Sequence, residues 1–269
     1  EELPDATPRV IWCRHAEGPM SRYIWAPEIH RIDGAWYVYF AAAKGEPDAN
    51  GVFDHRIYAL RNPAANPLEG AFAECGQIDT GMESFSLDAT SFVCRGRRYF
   101  VWAQRDYAIE GNSNLYIAEM ASPTGLKLPA AMISKPEFGW ECRGFKVNEG
   151  PSVLLHGGKV FLTYSGSATD ERYAMGMLEA PEDADLLNAA SWKKRERPVM
   201  QTDPRHGIYG PGHNSFTRDE RGNDLLVFHA RPYPGFQGSP LSDPNRNTFV
   251  RPIRYDRGGD PVFTVPEEA

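Results

Sequence analysis

The chain has 269 residues, of which 41% are hydrophobic and 24% charged, with a net charge of −7. That length can bury a real core in one large domain or two small ones. The acidic balance argues against a nucleic-acid or anionic-membrane partner, which would need a basic face, and no apolar run of about 18 residues offers a membrane span.

The opening stretch EELPDATPRVIW reads like the middle of a domain and shows no secretory signal, so the compartment stays open. Residues 26–41, APEIHRIDGAWYVYFA, then give a short strand, an Asp33-Gly34 turn and a strongly apolar strand. The pattern returns at 88–103 (DATSFVCRGRRYFVWA, turn Arg95-Gly96) and at 149–165 (EGPSVLLHGGKVFLTYS, turn Gly157-Gly158). It returns once more at 213–230 (HNSFTRDERGNDLLVFHA), with a longer turn from Asp219 to Asp224. The starts lie 62, 61 and 64 residues apart (88 − 26, 149 − 88, 213 − 149).

A second hairpin segment follows each unit: HRIYALR, SNLYIAEM, RYAMGMLEA and NTFVRPIRY. Four antiparallel strands per repeat describe a propeller blade. Helical periodicity is nearly absent; APEDADLLNAASW (180–192) is one or two turns within a connection, and the basic WKKRERP (192–198) reads as a solvated sheet edge. The 25 glycines and 22 prolines are spread without a linker-like concentration, which gives one all-β propeller domain over 1–269. Cys13, Cys75, Cys94 and Cys142 have neither zinc-site nor disulfide-framework spacing.

In a propeller the innermost strand of each blade runs beside a central channel, so equivalent positions at its start ring the axis. Those positions hold Ala26 (with Glu28 nearby), Asp88, Glu149 and His213. Taken alone, Glu149 reads as a solvated loop charge, Asp88 as an Asx turn and His213 as a satisfied core histidine. Together they form a constellation: two carboxylates on facing blades are the chemical minimum for glycoside hydrolysis, one donating a proton and one activating water or attacking. Aromatic residues at 12% suit sugar stacking as well as a β core. Trp25 is a candidate platform or a core residue, and Arg246 a candidate fork of donors for sugar hydroxyls or a surface arginine.

The motifs WAPEIHRIDGAWYVYFAAA, SFSLDATSF, IEGNSNLYIAEM, VNEGPSV and YGPGHNSF, in this order, resemble glycoside hydrolase family 43 over nearly the whole chain. The resemblance implies a five-bladed β-propeller and an inverting, exo-acting α-L-arabinofuranosidase working on arabinan or arabinoxylan-derived oligosaccharides. It implies that Glu149 is the general acid and that Asp88 raises the acid's pKa and orients it. His213 would be the axial histidine that contacts a hydrated calcium or similar ion, and Arg246 the arginine of the sugar subsite.

The family's general base, an aspartate in an ADP-like motif on the first inner strand, has no counterpart before WAPE, and Asp5 is in the wrong place. The stretch DATPRVIWCRHAEGPM looks like an outer strand of blade one and its linker. The expectation is therefore a propeller with most of its first blade missing from this chain, that blade and the base being supplied by a further polypeptide segment. The alternatives are a β-xylosidase of the same family and a non-catalytic carbohydrate-binding propeller.

Overall fold

The apolar strand of each repeat is buried on both faces, and the two-residue period of a strand explains how one segment serves two cores. The computed structural model describes residues 7–49, 51–236 and 238–264, so Asp5 lies outside the described residues. Blade 1 comprises β1 (Arg22–Ile32), β2 (Ala35–Ala43), β3 (Arg56–Asn62) and β4 (Ala73–Gln77), hydrogen-bonded in that order. Blade 2 runs β5 (Ser86–Cys94), β6 (Arg97–Gln104), β7 (Asn114–Ser122) and β8 (Gly125–Ser134). Blade 3 runs β9 (Asn148–His156), β10 (Lys159–Gly166), β11 (Ala174–Pro181) and the short edge β12 (Lys193–Lys194). Blade 4 has β13 (Tyr209–Arg218), β14 (Asp224–Arg231) and β15 (Asn247–Pro252), and a ribbon of β16 (Arg254–Tyr255) and β17 (Pro261–Val262) packs beside it.

Alternate residues of the second strands face opposite neighbours. Tyr37 and Tyr39 of β2 meet Phe100 and Trp102 of β6 between blades 1 and 2. Tyr99 and Val101 of β6 point the other way and meet Val160, Leu162 and Tyr164 of β10. Phe161 of β10 joins Leu226 and Phe228 of β14. Interleaved cores of this kind hold the sheets face to face mainly by apolar packing.

The molecule is thus an all-β propeller of four blades among the described residues, where the sequence led us to expect five with most of the first missing. The inner strands pack β1 on β5, β5 on β9 and β9 on β13, with no comparable contact from β13 back to β1. The strand expected upstream of Arg22 is absent among the described residues. That segment instead lays Trp12 and Met20 as irregular chain against Val38, Phe40 and Tyr58, on the face of blade 1 turned away from blade 2.

Candidate active site

All four inner strands share a β-bulge at the same place, and β1 and β13 carry a second one just before it. Three residues of β1 span two of β2 between the pairs Trp25–Ala41 and Glu28–Tyr39. The same holds for Leu87–Ala103 and Thr90–Val101, for Glu149–Ser165 and Ser152–Thr163, and for Gly212–His229 and Ser215–Val227. Just inside each bulge sits a residue in the left-handed region: Ala26 (φ 48°), Asp88 (φ 56°), Gly150 (φ 55°) and His213 (φ 44°). Bulges of this kind re-aim side chains, and left-handed backbone at non-glycine residues is strain of the sort held at functional sites.

This corrects the equivalence drawn from the sequence. The ring of matching positions is Ala26, Asp88, Gly150 and His213, spaced 62, 62 and 63 residues apart (88 − 26, 150 − 88, 213 − 150). Glu149 stands one place earlier, with Trp25, Leu87 and Gly212.

The bulges form the neck between a cavity of about 510 Å³ and the axial channel; Ala26, Asp88, His213 and Arg246 border both. Trp25, Leu87, Glu149 and Tyr173 line the cavity. Asp88 is buried, and its Oδ2 accepts the Gly150 N–H at 3.0 Å with His213 Nδ1 at 3.9 Å. Glu149 opens onto the cavity but has protein packed around it, and Tyr173 donates its hydroxyl to Glu149 Oε1 at 2.7 Å.

Burial, and next the Asp88 charge, push the Glu149 carboxyl up to about 7, against the opposing pull of Tyr173, His213 and Arg246. Burial also raises Asp88, opposed by His213 and the Gly150 N–H. The two carboxyls titrate as a pair, and Asp88, with a backbone donor and a histidine beside it, ionises first. The site therefore keeps a proton on Glu149 up to near neutral pH, far above the range of an ordinary glutamate.

Residues 1–261 match the family model described as Glycosyl hydrolases family 43. The chain belongs to glycosyl hydrolase family 43. It is 52% identical over 265 residues to an extracellular exo-α-(1→5)-L-arabinofuranosidase of Streptomyces avermitilis, a match spanning 98% of this chain and 54% of that protein. It is 46% identical to α-L-arabinofuranosidase 43 of Humicola insolens, over 98% of this chain and 54% of the relative. The chain thus spans about half the length of these curated relatives. A crystal structure of an α-L-arabinofuranosidase from Lactobacillus brevis superposes with a TM-score of 0.96 at 51% identity, covering 98% of this chain and 83% of the other.

Within this family 43 propeller the other expected site residues are distributed unevenly. Trp25 lines the cavity, stacked on His55 (ring centroids 4.3 Å apart, 25° between planes) and edge-on to Phe53. Arg246, just before β15, reaches the neck. Glu28 is not at the cavity: two residues past the bulge it faces the axial channel, accepting the Thr90 hydroxyl at 2.5 Å and lying 2.9 Å from His30 Nε2. Of the residues lining the cavity, Asp88 and Glu149 are the two carboxylates.

The donor set does not fit a calcium ion caged by protein, which takes six to eight oxygens. Both nearby carboxylates are engaged, and among the described residues no group of three or more His, Cys, Asp or Glu side chains could hold an ion.

The sequence reading missed Tyr173, His55 and Arg231. Arg231 is buried and donates to Asp243 Oδ2 (2.7 Å), the Thr169 carbonyl (2.8 Å) and the Pro240 carbonyl (2.8 Å), pinning the loop that brings Leu241 and Arg246 to the cavity. It also misjudged the basic edge. Lys194 turns inward and pairs with the fully buried Glu141 at 2.7 Å, while Glu141 accepts from Asn148 and Tyr164 (both 2.8 Å) directly behind Glu149. No sequence signal marks such partners, because each is a lone polar residue inside an apolar strand or loop.

Proposed function

We propose that this chain carries the catalytic site of an inverting, exo-acting α-L-arabinofuranosidase that releases terminal α-L-arabinofuranosyl residues from arabinan or arabino-oligosaccharides. The observation that carries this reading is the pair of enclosed carboxyls, Glu149 beside buried Asp88, at the neck of an aromatic-walled cavity, where burial and the Asp88 charge raise Glu149 to about 7. Glu149 donates its proton to the glycosidic oxygen as the bond to the anomeric carbon breaks. Asp88, ionised, keeps that proton on Glu149 until substrate takes it. Trp25 offers an apolar face for the sugar's C–H surface, and Arg246 a planar fork of donors for its hydroxyls.

The base that activates water belongs to a third carboxylate, which we place on a fifth blade seated between β13 and β1. Support for that blade comes from the arc of inner strands and from half-exposed β1, where β5 is buried along nearly its whole length. Relatives named as arabinofuranosidases favour this sugar over xylose.

The test is Glu149→Gln. Turnover of arabino-oligosaccharides, whose leaving alcohol needs protonation, should fall by about a thousandfold. Turnover of nitrophenyl arabinofuranoside, whose leaving group scarcely needs it, should fall far less. Equal losses on both substrates would overturn the acid assignment, faster turnover of the xyloside would favour a β-xylosidase, and arabinan binding without any turnover by the full-length protein would favour a carbohydrate-binding propeller.

A further inference from the structure

Tyr173 contacts the atom on which the proposed chemistry turns, and it stands at the end of a line of donors. The His213 backbone N–H donates to Ser165 Oγ at 2.8 Å. The Ser165 hydroxyl is in turn bonded to the Tyr173 hydroxyl, and Tyr173 donates to Glu149 Oε1 at 2.7 Å. Ser165 and Tyr173 are both shut off from solvent.

The tyrosine ring has little freedom to turn. It lies parallel to the His229 imidazole (centroids 5.7 Å apart, 11° between planes). On its edge is Gly212, where an added Cβ would come within 2.3 Å of Tyr173 Cε1. Two residues of the GPGHNS motif and one of β10 therefore serve one hydroxyl: Gly212 makes room for the ring, His213 starts the donor line, and its partner Ser165 passes the line on.

We propose that Tyr173 is a positioning residue that selects which oxygen of Glu149 carries the proton delivered to substrate. By occupying Oε1 as a donor, it leaves Oε2 as the atom that holds the proton. This inference rests on the reading of Glu149 as proton donor. In the step itself the proton passes from Glu149 Oε2 to the glycosidic oxygen, the carbon–oxygen bond breaks with its electron pair going to that oxygen, and the alcohol departs. Negative charge then appears on the Glu149 carboxylate, and the Tyr173 bond becomes charge-assisted and stronger at that moment. Tyr173 keeps its own proton, because burial and the neighbouring Glu149 raise its hydroxyl well above the usual range.

A residue that only filled space would not move the titration of its neighbour, so the experiment reads that titration directly. Carbon-13 NMR of glutamate-labelled protein, with the Glu149 carboxyl assigned by its loss in Glu149→Gln, would follow the carboxyl in the parent and in Tyr173→Phe. The parent should titrate near 7, and the variant about one pH unit higher once the donor is gone. Ser165→Ala, which keeps the ring and removes the link behind it, should shift the carboxyl the same way by less.

On substrates with poor leaving alcohols, kcat of Tyr173→Phe should fall about tenfold with KM held, and the loss should shrink on nitrophenyl arabinofuranoside. An unshifted carboxyl in Tyr173→Phe overturns the proposal even if activity falls. If that variant does not fold, Ser165→Ala decides alone: a shift supports the proposal and no shift overturns it. Absence of turnover by the protein with its fifth blade in place would sink the proposed function and leave the carboxyl titration still readable, so the two failures are distinguishable.

Discussion

Glu149 holds its proton at a pH where an ordinary glutamate has lost it, and that has a thermodynamic consequence separate from catalysis. Its folded-state value of about 7 lies above the usual 4.5. Between those values the folded chain binds a proton that the unfolded chain does not, so stability falls as pH rises from 4.5 through 7. The full loss is on the order of 3 kcal/mol. Glu149→Gln, neutral at every pH and still able to accept from Tyr173, should therefore stabilise the protein at pH 8 and change little at pH 4.5. Urea unfolding midpoints at the two pH values would check this, and equal shifts at both would contradict it. The residue was legible in the sequence because the repeat sets it beside Asp88 and His213 and because VNEGPSV resembles the family's motif, not because of its own surroundings. What was not legible is what surrounds it, since Tyr173 comes from β11's entrance, 24 residues away.

At the scale of the element, the functional unit is the bulge repeated on β1, β5, β9 and β13. The strand pairs and turns were readable from apolar alternation and Gly-containing turns, which is why the blades were found. The bulge was not, because Ala, Asp, Gly and His occupy the same left-handed position in turn and share no sequence mark. One inserted residue shifts which side chain meets the axis, and that alone misplaced Glu149 by a position in the predicted ring. Packing around the fourth bulge gives a prediction. Gly212→Ala would drive a methyl to within 2.3 Å of the Tyr173 ring and 2.9 Å of Ser165 Oγ. Ser165 is fully buried, and the Tyr173 ring is backed on its face by His229. We expect a destabilisation of about 2–3 kcal/mol, typical of overpacking, together with lost turnover on every substrate as Tyr173 is displaced. A variant with parent-like unfolding midpoint and turnover would show that the ring can yield.

For the molecule as a whole, the blade architecture was legible from a period of about sixty residues, because stacking sheets need the same alternation four times over. Two histidines with enclosed rings, one buried and one half-buried, legible to no pattern, govern how that stack responds to acid. His55 is fully buried behind Trp25, and burial lowers it to about 4. His229 has both ring nitrogens enclosed without a partner, and burial, with Arg246 nearby, lowers it to about 3. Both values lie below the usual 6.5, so the unfolded chain takes up the protons first. Stability from each is complete above 6.5 and is lost as pH falls through its folded value, at about 1.4 kcal/mol per unit. Glu149 works in the opposite sense between 7 and 4.5. Acidification from 7 to 6.5 therefore gains stability from the glutamate alone, whereas below 6.5 two histidines outweigh one carboxyl. The three groups together put the maximum near pH 6.5 and make the acid side the steep one. His229→Phe keeps a ring to lie against Tyr173 and removes one of the two losses. Its acid unfolding midpoint should fall below the parent's, with a stability advantage growing from about pH 6.5 downward to on the order of 4 kcal/mol near pH 3. Chemical denaturation across that range would read the slope, and a constant offset between variant and parent at all pH values would show that His229 does not titrate with folding.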